Sequence, residues 1–233
     1  MKRFYKAVGI APGDDGIAIH LDGKPVRTPA KRTLRLPGEV LARAVAAEWE
    51  AQEGSVDPRS MPLTRLANTA LDRVSEQRPA VVDEVAAYAA TDLVCYRAAE
   101  PEELARRQAE AWDPLVGWAR ERHGIDLVVT DALLPATQSG ESLQAARDAL
   151  DAMDDFVLTA VHMATSASGS IVLGLAVAEG RIDSRTAWEL SLIDESWQIE
   201  KWGEDPEAKR RRDGLLADIA AAATFIELYR ADA

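Results

Sequence analysis

The spacing of large apolar residues changes once along this chain, near Pro37, and this change constrains the fold more than any other feature. Before it, in residues 17–21, apolar side chains recur at every second position, as in a β-strand with one buried face. After it, apolar residues recur at steps of three and four, as on one face of a helix. The sequence therefore predicts an α+β fold, with a small N-terminal antiparallel β module over residues 1–37 and a larger, mainly helical domain over residues 38–233.

The β module is expected to be built around one tight hairpin. Asp22 and Gly23 follow the alternating strand, and an Asp-Gly pair favours a two-residue turn. Residues 24–28 then form the predicted return strand. Leu34 and Leu36 alternate again and predict a third short strand.

The helical domain is expected to contain two interruptions by short strands. Its second helix should end before Pro79, because proline lacks the backbone donor that a helix interior requires. A later helix should end at His123-Gly124, since glycine is favoured just beyond a helix C-terminus. Short apolar runs near residues 93–96 and 125–130 predict the two strands.

Composition excludes several classes of partner. The formal charge of −12 produces a negative surface field, which repels nucleic acid backbones and anionic lipid headgroups. No run of about 18 apolar residues is present, so membrane insertion is not expected. The single cysteine, Cys95, permits neither an internal disulfide nor a cysteine-based zinc cluster. The basic start lacks the apolar region of a secretory signal, which favours the cytosol.

The sequence contains no complete catalytic motif of the common kinds. Gly169 and Gly174 have the spacing of a phosphate-binding loop, but Leu175 and Ala176 stand where its lysine and hydroxyl residues belong. The three histidines are far apart in sequence and share no motif. The sequence therefore predicts no catalytic residue, no cofactor and no metal site.

The most informative stretch is residues 187–202, where one helical face carries a carboxylate among apolar side chains. The face comprises Trp188, Leu192, Glu195, Ile199 and Trp202. A buried carboxylate without a partner is costly, so Glu195 must be paired, protonated or at an interface. The sequence leaves two interpretations open: a structural ion pair with an arginine of residues 209–212, and a binding surface for another polypeptide.

We predict such a binding surface from aromatic and carboxylate residues together, because aromatic side chains supply contact area and charged side chains supply specificity. Its predicted residues are Trp188, Glu195, Gln198, Ile199, Trp202 and Glu204. Trp49 and Trp112 are predicted to be structural, since a tryptophan on a helical stripe is commonly part of the core.

A set of short motifs also occurs in a characteristic order over residues 3–204. They are Arg3-Phe4-Tyr5-Lys6, Leu21-Asp22-Gly23-Lys24, Thr28-Pro29, Glu48-Trp49, Gln52, Met61-Pro62-Leu63-Thr64, Ala67, Tyr88, Thr91-Asp92, Gln108, Trp112-Asp113-Pro114, Ser170 to Gly174, Gln198 and Trp202-Gly203. In this order they resemble the assembly chaperones of the F-type ATP synthase alpha subunit.

The resemblance implies a non-enzymatic protein that binds the newly made alpha subunit and shields the surface later covered by the beta subunit. It implies no ATP hydrolysis, and it agrees with a small β module before a helical domain. The simplest expectation is a bacterial, cytosolic member that is monomeric when free, whereas the eukaryotic relatives belong to the mitochondrial matrix.

Two other classes of function stay open from the residues alone. An enzyme would need scattered titratable groups, for instance Asp92, His162 and Glu195, to meet in a deep pocket. A small-ligand-binding protein or structural subunit would need an enclosed apolar cavity or a permanent oligomer.

Overall fold

The computed structural model describes residues 2–132 and 136–231, and in it a small antiparallel sheet precedes a set of helices. The predicted α+β fold is confirmed. The strands are β1 (Val8–Gly13), β2 (Gly16–Leu21), β3 (Lys24–Pro25) and β4 (Arg35–Leu36). Strand β2 is central: β1 pairs with one of its edges, and β3 and β4 pair with the other.

The hairpin predicted at Asp22-Gly23 is present between β2 and β3. Asp22 and Gly23 both have positive φ, 49° and 78°, as a tight two-residue hairpin turn requires. The Asp22 carboxylate also accepts hydrogen bonds from the backbone N–H groups of Ala7 at 2.8 Å and Lys6 at 3.1 Å. These two bonds lower the pKa of Asp22 and hold the segment that enters β1.

Helices begin directly after the sheet. The first three are α1 (Glu39–Glu50), α2 (Pro62–Thr69) and α3 (Ser75–Ala86), with a π-helical turn between α2 and α3. The backbone leaves helical geometry at Gln77, where φ is −126° and ψ is 29°. This interruption agrees with the helix end predicted before Pro79.

The rest of the described chain is largely helical. The helices are α4 (Glu102–His123), α5 (Gly140–Asp151), α6 (Asp155–Ser168), α7 (Ile171–Ala178), α8 (Ser184–Ser191), α9 (Ile193–Trp202) and α10 (Pro206–Arg230). Gly124 adopts a φ of 73° and ends α4, as predicted. Among the described residues, none of these helices is both long and apolar enough to cross a membrane.

The strands predicted near residues 93–96 and 125–130 are wrong. Residues Leu93–Cys95 form a single 3-10 turn, and the only pairing between the two stretches is an isolated bridge joining Tyr96 to Thr130. The physical reason is Asp92. Its side chain accepts the N–H of Val94 at 3.1 Å, and its carbonyl accepts the N–H of Cys95 at 3.0 Å, so these donors are used locally instead of in a ladder.

The chain divides into two compact units. The first unit contains the chain up to Arg78, together with Asp155–Ala160 and the chain from Thr224 onward. The second unit contains Pro79–Asp154 and Val161–Ala223. The sheet and α1 to α2 therefore belong to one compact unit, and the division into domains at residue 37 stays a prediction.

Each unit contains a carboxylate, half-buried in the first unit and fully buried in the second, that binds the first backbone N–H groups of a helix. In the first unit, Glu48 accepts the N–H groups of Leu63 and Thr64, both at 2.7 Å, at the start of α2. In the second unit, Asp92 accepts the N–H of Val172 at 3.2 Å, at the start of α7. Burial raises the pKa of Glu48 and raises the pKa of Asp92 to about 6.

Candidate protein-binding groove

An open groove of about 460 Å³ lies between α9 and the first turn of α10, in the second unit. We call it the α9–α10 groove. Five of its lining residues belong to the binding surface predicted from the sequence: Glu195, Gln198, Ile199, Trp202 and Glu204. The other four are Asp194, Gly203, Asp205 and Ala208. The structure therefore brings together five of the six predicted residues.

Trp202 is the main apolar feature of the groove. It is the last residue of α9, and 79% of its surface is exposed. The helix ends there because Gly203 has a φ of 86°, which favours glycine, while its N–H donates to the Ile199 carbonyl at 2.8 Å. A large aromatic side chain is thus held at a helix end with its ring directed to solvent.

Two carboxylates of the groove are held by arginines of α10. Glu195 is ion-paired with Arg211, and the Glu195 side chain is 23% exposed. Arg212 forms an ion pair with Glu204, with 3.2 Å between its Nε and a carboxylate oxygen. The interpretation of Glu195 as the partner of an arginine is therefore confirmed, and the same carboxylate also lines the groove.

The other two carboxylates have partners that fix the backbone and a neighbouring helix. Asp194 accepts a hydrogen bond from the amide nitrogen of Gln108 at 2.6 Å, and burial raises the pKa of Asp194. Asp205 accepts the N–H groups of Ala208 at 3.0 Å and Glu207 at 2.8 Å. These bonds lower the pKa of Asp205 and start α10.

The electrostatic character of the groove follows from these residues. Four carboxylates line it, and none of the described lining residues is lysine or arginine. An acidic groove with an exposed tryptophan is complementary to a protein surface that combines apolar and basic groups. In the described part of the chain, no three carboxylate, histidine or cysteine side chains are grouped so that they could hold a metal ion.

Trp188 does not lie in the groove. The single helix assumed over residues 187–202 is wrong, because the backbone leaves helical geometry at Leu192, with φ −124° and ψ 23°. The helical steps that place Trp188 and Trp202 on one face therefore do not apply. Trp188 is half-buried against the apolar cluster around Ile219, and its Nε1 donates to the Arg212 carbonyl at 2.8 Å.

The two tryptophans predicted to be structural lie in different units. Trp112 on α4 has no exposed surface, and its Nε1 donates to the Leu190 carbonyl at 2.9 Å, two residues before the break between α8 and α9. Trp49 on α1 is half-buried, and its carbonyl accepts the hydroxyl of Tyr5 at 2.7 Å. Trp112 thus supports the segment from which α9 and the groove begin.

The three groups named for a possible enzyme have separate partners. Asp92 is fully buried at the start of α7, and the Nε2 of His162 lies 3.1 Å from a Glu84 carboxylate oxygen. Glu195 is paired with Arg211. Their arrangement gives no acid–base constellation of the kind that catalysis requires.

Sequence reasoning missed four lining residues, and only one of them carried a clear signal. Asp205 precedes Pro206, and aspartate followed by proline is typical of a helix N-cap and first turn. That pair predicts the start of α10, and with it a junction beside Trp202. Asp194, Gly203 and Ala208 line the groove only because α9 and α10 meet there.

Residues 2–120 match the family model described as ATP12 chaperone protein. The mitochondrial protein atp12 of Schizosaccharomyces pombe is 24% identical over 214 residues, which cover 87% of this chain and 74% of that protein.

Solved structures extend the similarity over the groove. The crystal structure of Atp12 from Paracoccus denitrificans superposes with a TM-score of 0.93 and 44% identity, covering 98% of both chains. The Atu1473 protein of Agrobacterium tumefaciens superposes with a TM-score of 0.92 and 40% identity, covering 97% of this chain and 85% of that one. The matched family is one of chaperones, which confirms the prediction that the protein is not an enzyme. The chain belongs to the ATP12 chaperone family.

Proposed function

We propose that this chaperone acts in assembly of the F-type ATP synthase, where it binds the newly made alpha subunit, prevents its aggregation and hands it to the beta subunit. The α9–α10 groove is the proposed client-binding site. The observation that supports the site is the exposure of Trp202, at 79%, inside a groove lined by four carboxylates. The identity of the client rests on the resemblance of the ordered motifs.

The groove combines the two features that reversible binding needs. Burying an exposed tryptophan removes a large apolar area from water and anchors the client. The carboxylates of Glu195 and Glu204 select a basic surface, but they are already paired with Arg211 and Arg212. A client therefore gains only part of the charge interaction, and a beta subunit that buries more apolar surface displaces the chaperone.

The remaining properties of the proposal follow from charge and family. A net charge of −12 opposes binding to nucleic acid. We propose a monomeric free state and a bacterial cytosolic location, in line with the bacterial structures that the chain resembles. The proposed activity requires no cofactor, because holding and releasing a client needs only a reversible interface.

The test is suppression of alpha-subunit aggregation by the purified protein. Denatured alpha subunit is diluted into buffer with wild-type protein, Trp202→Ala or Phe4→Ala, and light scattering and co-elution are measured. Phe4 is the matched control, since it is 62% exposed and lies outside the groove. We expect Trp202→Ala to weaken alpha binding at least about tenfold and Phe4→Ala to leave it unchanged.

Beta subunit serves as the control client. Selective protection of alpha that depends on Trp202 supports both the client and the groove. Equal protection of both subunits argues against alpha as the client, and equal binding by Trp202→Ala and wild type argues against the groove.

A further inference from the structure

Strand β1 has one edge that is paired with β2 and one that is open. Among the described residues, no strand or isolated bridge pairs with the outer edge of β1. The N–H of Asp22 donates to the Ala7 carbonyl at 2.9 Å, while the Ala7 N–H donates to the Asp22 side chain, so these two residues occupy a hydrogen-bonding position of the ladder. Because hydrogen-bonded pairs alternate along an antiparallel ladder, the backbone groups of Val8 and Ile10 point away from β2.

The other side of β2 supports this assignment. Ile19 is the partner of Ile10 in the ladder. The Ile19 N–H donates to the Leu34 carbonyl at 3.2 Å, and the Ile19 carbonyl accepts the N–H of Val26 at 2.8 Å. The backbone N–H and carbonyl of Ile19 therefore point away from β1. Those of its partner Ile10 point away from β2. Within the part of the chain that the structure describes, Val8 and Ile10 together offer two N–H groups and two carbonyls without a hydrogen-bond partner at the sheet edge.

A groove runs beside this open edge. It has a volume of about 660 Å³ and lies between β1 and α1, within the first unit. Val8 and Ile10 line it on the strand side, and Ala46 and Ala47 line it on the helix side. The small alanine side chains leave room for the aliphatic side chains of an added strand.

Two opposite charges mark the ends of the helix side. Arg43 and Glu50 line the groove and are seven residues apart on α1, which corresponds to about 10 Å at 1.5 Å per residue. Both side chains are largely exposed: Arg43 pairs with Glu39, and Glu50 pairs with Arg3 at 3.3 Å. Exposed pairs of this kind exchange partners at little cost. The groove therefore complements a strand with a carboxylate near one end and an amine near the other.

We propose that this β1–α1 groove binds an extended segment of an unassembled client polypeptide by β-strand addition. The bound segment carries aliphatic side chains at alternate positions, an acidic residue facing Arg43 and a basic residue facing Glu50. Main-chain hydrogen bonds to Val8 and Ile10 hold it, so recognition depends on backbone more than on sequence. The proposal rests on the proposed function only for the statement that the segment belongs to the client.

Pro12 favours a client segment over a second copy of this chain. It occupies the next outward position of β1 and has no N–H to donate. Proteins use proline on an edge strand to limit pairing between copies of themselves. The open part of the edge is therefore short enough to receive one peptide segment without extending into a larger sheet.

The test uses the full-length protein and a synthetic peptide of about eight residues. The peptide carries valine at alternate positions, with one aspartate and one lysine near its ends. Two further versions are N-methylated at alternate residues, one on the amides that would face β1 and the other on the amides of the opposite edge. Binding is followed by two-dimensional NMR and by hydrogen exchange of the Val8 and Ile10 amides.

We expect the peptide to slow exchange at Val8 and Ile10. Methylation of the amides that would face β1 should weaken binding at least about tenfold. Methylation of the amides on the opposite edge of the peptide should leave binding unchanged. Ala47→Trp should weaken binding to a similar extent by filling the groove, since Ala47 is exposed and the substitution leaves the core intact. Ala152→Trp, at an exposed position after α5, is the matched control and should bind as wild type does.

Three results would overturn the proposal. They are unchanged exchange at Val8 and Ile10, equal binding of the two methylated peptides, and protection of these amides without peptide in a protein that sediments as a dimer. Trp202→Ala separates this proposal from the client proposal. Peptide binding that survives in Trp202→Ala while alpha binding is lost supports two sites. Failure of peptide binding with normal alpha binding overturns only the strand site.

Discussion

The α9–α10 groove and the β1–α1 groove differ in what they offer to a bound polypeptide. The first presents side chains: an exposed tryptophan and four carboxylates. The second presents backbone donors and acceptors beside small apolar residues. Side-chain recognition selects a particular folded surface, whereas backbone recognition accepts many sequences. A chaperone with both surfaces can identify its client and also cover a segment that is not yet paired.

The substitution with the largest expected effect, and the first test of the difference between the two grooves, is Trp112→Ala. Trp112 is fully buried and bonds to Leu190 at 2.9 Å, so we expect the substitution to lower the free energy of unfolding by about 4 kcal/mol. Urea denaturation measures this decrease in the free energy of unfolding. Hydrogen exchange should show lost protection in α8 and α9, with loss of alpha binding, while the β1–α1 groove keeps its peptide.

Trp202→Ala is the control for Trp112→Ala, because it removes a tryptophan that is 79% exposed. Its free energy of unfolding should stay within about 0.5 kcal/mol of wild type. A cost below about 1 kcal/mol for Trp112→Ala would contradict the supporting role of Trp112.

A second test uses pH and the buried carboxylate of the second unit. Burial raises the pKa of Asp92 to about 6 from 3.8, so the folded state binds its proton more tightly than the unfolded chain. The stability this group contributes is fully present below pH 3.8 and is lost as the pH rises through about 6. Between about pH 4 and about pH 7, the unfolding free energy of wild type should fall by about 2 kcal/mol relative to Asp92→Asn.

Urea denaturation of both proteins across this range measures the difference, and parallel pH curves would contradict it. Glu48→Gln provides the comparison in the first unit. Burial also raises the pKa of Glu48, so the difference between wild type and this variant should change with pH in the same direction.

The smallest test concerns charge in the α9–α10 groove. Glu195→Gln removes one carboxylate and frees Arg211, so alpha binding should weaken about threefold, or about 0.6 kcal/mol, at low salt. At about 1 M salt the difference should disappear, because charges are then screened over about 3 Å. Peptide binding at the β1–α1 groove should not change, as titration calorimetry at both salt concentrations would show.

Glu110→Gln is the matched control for Glu195→Gln. Glu110 pairs with Arg106 on α4, both side chains are more exposed than Glu195, and Glu110 does not line the groove. An equal loss of alpha binding in this variant would mean that net charge, and not the groove, determines the affinity.

Local signals predicted the parts of the fold that depend on a few adjacent residues. The Asp22-Gly23 turn and the end of α4 at Gly124 both require positive φ, and the residue types there permit it. The change of apolar period near Pro37 separated the sheet from the helices. These features need no knowledge of distant contacts.

Features set by distant contacts were not predictable. Strand β1 contains two glycines and a proline and has a weak apolar alternation, and it is a strand because β2 pairs with it along its whole length. Leu192 continues a helical pattern and is neither glycine nor proline, yet the helix breaks there around a side chain that is only 6% exposed. The same break removed Trp188 from the predicted surface and left the other five residues together.

The shortness of the open edge on β1 sets how long a strand can stay there. Val8, Ile10 and the Pro12 carbonyl offer about five hydrogen bonds, each with a net value of about 1 kcal/mol. Association costs at least about 4 kcal/mol in lost translational and rotational freedom, so these bonds alone give a dissociation constant weaker than about 1 mM. With an association rate constant of about 10⁶ M⁻¹s⁻¹, the dwell time due to these bonds is about 1 ms or less. Such a contact lets a client segment sample folding many times each second, so the timing of release requires no external energy source.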